Sequence, residues 1–163
     1  MIKYVLSAFM AIIIILVVIY AVGYHRATSL PDNRPAAFIL QNKNPEKKVV
    51  VCIGDSITHG RVSCNYVDML SEKLGEKGFI FVNAGINGEL AWNALQRTDE
   101  VIRCNPDYIT ILIGSNDANG SLRDSIARRQ MKEMKLPQYP DRKWYRKNLA
   151  SLCNILQTQT KAR

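Results

Sequence analysis

The sequence predicts an α/β fold built on a parallel sheet, and three observations carry that prediction. Three short apolar runs recur along the chain: Val49 to Ile53, Phe79 to Val82 and Tyr108 to Ile113. The first, rich in β-branched residues, is what a fully buried parallel strand looks like. Stretches of helical periodicity separate them, and the links are short. Strand, helix, strand, helix, strand with such links is the pattern of right-handed crossovers.

The first run ends at Gly54-Asp55-Ser56-Ile57-Thr58-His59-Gly60. Gly54 allows a sharp turn at the strand's carboxyl end, and Ser56 stands where a helix would begin. In open α/β sheets, ligands bind in the crevice at that end of the strands. Ser56 is therefore a candidate nucleophile with free backbone N–H groups beside it. An ordinary strand-to-helix turn, with Asp55 or Ser56 as N-cap, would use the same residues.

Asn65 to Lys77 carries Tyr66, Leu70 and Leu74 at helical spacing and stops at Gly75 to Gly78. After the second strand, Asn83-Ala84-Gly85-Ile86-Asn87-Gly88 forms a polar loop. Glu89 to Arg103 reads as one helix with Ala91, Ala94, Leu95, Val101 and Ile102 toward one face, and Trp92 as a packing residue. Pro106 separates it from the third strand, which runs into Gly114-Ser115-Asn116-Asp117. Tyr145, Leu149, Leu152 and Leu156 mark a third long helix. All three polar loops would meet along one edge of the sheet.

These three blocks, in order and each after a strand, resemble the SGNH (GDSL-type) hydrolases over about residues 48 to 160. The resemblance implies a flavodoxin-like three-layer α/β/α fold with strand order 2-1-3 and further strands beside the third. Ser56 matches the nucleophile, Gly88 the glycine whose N–H binds the oxyanion, and Asn116 the asparagine whose amide does the same. The family's last block, Asp-x-x-His, has no counterpart: the chain has only His25 and His59, and neither follows an aspartate by three positions. His59 reads as a surface or site-rim histidine and a poor substitute base. Three residues after Ser56 it shares a helix face with it, but that face points along the helix rather than back across the site, and no carboxylate is placed to orient the ring. Asp55 and Asp117 read as loop-shaping residues. The expectation is a C-terminally truncated hydrolase domain over 48–163 whose third strand is a bare, apolar edge.

The first 23 residues differ in character. Tyr4 to Gly23 is apolar except for Ser7, a length that suits a membrane-spanning helix, which needs ~20 apolar residues. A signal peptide cleaved after Ala21-Val22-Gly23 is the competing reading, but its apolar core is typically ~7–15 residues. The expected partner is thus the lipid bilayer, through residues 4–23, with residues 24–47 as a linker in which Phe38 to Leu40 pack locally. His25 sits at the membrane boundary. Charge after the helix favours a cytoplasmic domain, whereas the resemblance implies an outward-facing one, so the expected location is single-pass and extracytoplasmic.

The chain's +8 formal charge comes almost wholly from residues 123–147, which hold nine Lys or Arg against three acidic residues. Residues 24–122 balance ten basic against eleven acidic. The aromatics there, Tyr139, Trp144 and Tyr145, cluster around prolines and form no stacking platform, so the segment reads as a solvated face or lid, with no nucleic acid as partner. No cofactor is expected: Gly85 to Gly88 lacks the dinucleotide glycine spacing, no Gly-Lys-Ser/Thr follows Gly54, and Cys52, Cys64, Cys104 and Cys153 have no metal-type spacing. Cys52 reads as a small buried hydrophobe. Two function classes follow: a membrane-anchored serine esterase acting on a small acyl ester, and an inactive anchored binding module for an acyl or carbohydrate ligand.

Overall fold

Three parallel strands form the centre, in the order β2-β1-β3: β1 is Lys48–Gly54, β2 Phe79–Gly85 and β3 Tyr108–Leu112. The computed structural model describes residues 2–41, 46–61 and 64–162. β1 is paired on both sides, Val51 lying against Val82 and Ile109, which is why its run is apolar throughout. Side chains alternate across it. Val49, Val51 and Ile53 face one core with Val82, Ala84, Val101, Leu152 and Leu156. Val50 and Cys52 face the other, with Val67 and Phe81.

The helices, among the described residues, are α1 Ile2–Thr28, α2 Pro35–Gln41, α3 Ser56–His59, α4 Tyr66–Leu74, α5 Ala91–Gln96, α6 Thr98–Arg103, α7 Ser115–Leu122, α8 Asp124–Glu133 and α9 Arg142–Gln159. Residues of α2, α5, α6 and α9 cover one face of the sheet, and α4 covers the other. The parallel order matches the expectation. Among the described residues β3 has no outer neighbour, and Tyr108 and Leu112 are exposed. Its alternate residues Ile109 and Ile111 turn toward α9 and are half-buried.

Several expectations need correction. Glu89 to Arg103 is two helices, because Arg97 leaves helical geometry (φ −121°, ψ 26°) and turns its side chain inward. The supposed tether is docked: Phe38 and Ile39 pack on the main core, and the Asn33 carbonyl accepts from the Asn83 N–H at 3.0 Å. Leu40, expected to pack, is exposed. Lys43 and Pro45 of that stretch lie outside the described residues. Among the described residues no helix is both long and apolar enough to cross a membrane, so the transmembrane expectation finds no support here. From Phe9 to Tyr24 the large apolar side chains of α1 are exposed.

Candidate active site

The turn after β1 is set by what surrounds Gly54. A Cβ there would run into the Thr58 side chain and stand 2.5 Å from the Leu112 carbonyl, so no other residue fits the close approach of β3. A Cβ on Gly85 would likewise meet the backbone of His59. Asn83, fully buried, staples the two turns: its Nδ2 donates to the Thr58 carbonyl (2.8 Å), and its Oδ1 accepts from the Gly85 N–H (2.9 Å). The Ile86 N–H donates to the Gly54 carbonyl at 3.1 Å. The second block is thereby fixed beside the first.

Asp55 joins the third. Its carboxylate caps α3 through the Ile57 N–H, and it accepts from Ser115 Oγ at 2.5 Å and Asn116 Nδ2 at 3.4 Å. Asn116 Nδ2 also donates to the Glu89 carbonyl at 3.0 Å. Ser56, Gly88 and Asn116 are therefore brought to one place at the carboxyl end of the sheet, linked through Asp55 and the carbonyl of Glu89, the residue after Gly88. Ser56 is half-buried at the first position of α3, and among the described residues its hydroxyl makes no hydrogen bond. Gly88 has φ +79°, a conformation that favours glycine. The Asn116 amide is turned toward Glu89 and Asp55, and would have to share its protons to serve an oxyanion.

His59 differs from the rim position expected of it. It is 1 % exposed; Nε2 donates to the Ser29 carbonyl at 2.9 Å, and Nδ1 accepts from the Arg61 N–H at 3.4 Å. Both nitrogens are engaged, which fixes a neutral ring, and burial pushes its pKa below the usual imidazole value. It is a structural tie between α3 and the end of α1, and no base for Ser56. Trp92 packs as expected, stacked on Trp144 with ring centroids 6.2 Å apart.

Asp117 is buried and caps α5: its carboxylate accepts from the Ala91 N–H at 3.1 Å. Burial pushes its pKa up to about 6, opposed by that hydrogen bond, with Asp55 adding to the rise. A group raised in the folded state adds stability that is complete below its unfolded value near 4 and lost as pH passes 6. His59 acts in the opposite sense, losing stability as pH falls below about 6.5. Comparison with Asp117→Asn cancels His59. Between pH 7.5 and 4.5, the wild type is expected to gain about 2 kcal/mol relative to that variant. Urea titrations at the two pH values measure this, and a pH-independent difference would contradict the assignment.

The remaining signals were less visible in sequence. Glu89 and Arg97 form a buried pair (2.7 Å), and Arg97 also donates to the Ala84 carbonyl and to Glu100. Gln130 Nε2 donates to the Asn116 carbonyl at 2.8 Å, so α8 reaches the third block.

The sequence pattern of the GDSL-like lipase/acylhydrolase family matches residues 52–163. The chain belongs to this family. Solved structures agree in fold. A GDSL-like lipase from Bacteroides thetaiotaomicron aligns with TM-score 0.52 at 20% identity, over 82% of this chain and 57% of its own. A psychrotrophic esterase from Pseudoalteromonas gives 0.52 at 20%, over 71% and 57%. A catalytic mutant of an acetylxylan esterase from Geobacillus stearothermophilus gives 0.51 at 26%, over 73% and 58%. The chain thus spans less than two thirds of the length of each of these proteins. No curated protein matches it.

Proposed function

We propose that this chain carries the nucleophile and oxyanion-binding part of a serine acyl hydrolase acting on small esters. Ser56 Oγ attacks the acyl carbon. The N–H groups of Ser56 and Gly88 and the amide of Asn116 hold the oxyanion, each donor contributing about 3 kcal/mol to the transition state. The observation that carries this reading is the convergence of the unbonded Ser56 hydroxyl with the Gly88 and Asn116 loops through Asp55 and Glu89.

Attack needs a base, and that base is ordinarily an oriented histidine. No Asp-x-x-His occurs in these 163 residues, and His59 is fully engaged. The reading therefore assigns the base to residues outside this sequence. The engaged Asn116 amide favours one alternative, an inactive module that binds an acyl or carbohydrate ligand. We further propose that α1 holds the protein at a lipid bilayer through residues 4–23, which is supported by its exposed apolar side chains.

One experiment separates these. The native protein is taken from carbonate-washed source membranes, treated with a fluorophosphonate and weighed intact. An adduct on Ser56, in a protein heavier than 18.4 kDa, is the expected result. A mass near 18.4 kDa with no adduct would replace the hydrolase by the binding module. Absence from the washed membranes would remove the anchor.

A further inference from the structure

Helix α8 belongs to the basic stretch that reads in sequence as a solvated face or a lid. It is held instead against both loops that carry oxyanion donors. At the third block, Gln130 donates to the Asn116 carbonyl. Beyond the second, on α5, Asn93 Nδ2 donates at 3.0 Å to the carbonyl of Met134, the residue capping the end of α8. The Met134 side chain covers Gly88: a Cβ on that glycine would stand 3.0 Å from Met134 Cε and 3.5 Å from Sδ. Ala127 and Leu136, buried on either side, fix the segment to the body of the domain. Pinned at both loops, this segment is a wall.

We propose that Met134 closes the acyl side of the site and limits the substrate to short acyl groups; this rests on the acyl-hydrolase reading. A carbonyl oxygen held by the Gly88 N–H lies about 3 Å from that nitrogen. The substituents of its carbon then lie beside the residue that Met134 covers. One is the leaving group, which must face a group able to return a proton. Met134 presents only a thioether and a methyl, which suit an apolar chain. The acyl group takes this side, and a long one meets the thioether.

The test uses the native protein and p-nitrophenyl acetate, butyrate and octanoate. Wild type is expected to prefer acetate. Met134→Ala should raise the octanoate-to-acetate ratio of kcat/KM by about tenfold or more, since each methylene admitted to an apolar site adds to binding. Met134→Phe should move the butyrate-to-acetate ratio the other way, by about fivefold. The two variants need opposite shifts, so misfolding in one leaves the other decisive. A wild type that prefers octanoate, or ratios unchanged in the variants, would overturn the wall and leave the hydrolase standing. No Ser56-dependent hydrolysis at all would overturn both.

Discussion

Ser56→Ala is expected to lower aryl-ester hydrolysis by the native protein about a million-fold, to the residue left by binding and oxyanion donors. The size of the loss follows from the proposed mechanism. Without the hydroxyl no acyl-enzyme forms, and water must attack directly. Stability should hardly change, because the Ser56 hydroxyl makes no hydrogen bond among the described residues and alanine is a good helix former. Asn116→Ala gives the contrast. On the proposed mechanism it removes one oxyanion donor, for about 10²–10³ in kcat. It also leaves the Glu89 carbonyl without its partner, for about 1 kcal/mol of stability. Measuring kcat and the urea midpoint for both variants tests the two roles together. Ser56→Ala retaining more than a few per cent of activity would show that another group is the nucleophile.

What the sequence revealed of this site depended on local chemistry. β1 is legible because a strand paired on both sides and covered on both faces has no room for polar residues. Gly54-Asp55-Ser56 is legible because a close approach and an N-cap leave their own residue types behind. The rest depends on partners far away in the chain. His59 looked like a rim residue until Ser29, thirty positions earlier, supplied the carbonyl that holds it inside. Polar composition made residues 24–47 look like a tether, yet Asn33 reaches across to β2 and Phe38 reaches the core. In the basic stretch, Gln130 and Met134 are ordinary helix formers whose meaning lies in the loops they touch. Arg97 belongs with them: its charge marks it for solvent, and Glu89, Glu100 and the Ala84 carbonyl explain its turn inward.

That inward turn gives the largest expected effect on stability. Arg97→Ala should destabilise the fold by about 3–5 kcal/mol at pH 7.5. The guanidinium and the Glu89 carboxylate are both nearly buried, and Arg97 Nε also donates to both Glu89 oxygens. Removing the cation leaves a carboxylate in the interior and strands the Ala84 carbonyl at the end of β2. Burial already holds Glu89 above the usual carboxylate range, even with Arg97 pulling against it. Without Arg97 the rise should be larger. A carboxyl raised in the folded state is favoured at low pH and penalised as pH climbs through its folded value. The deficit of Arg97→Ala should therefore shrink between pH 7.5 and 5. Replacing the pair together, Arg97→Met with Glu89→Leu, should recover most of the stability, because no charge is left stranded. The double variant separates fold from function. Glu89 follows Gly88, and its carbonyl holds the Asn116 amide. If the ion pair serves only the fold, the double variant regains kcat with stability. If it also sets the oxyanion loop, stability returns while kcat stays low and KM is little changed.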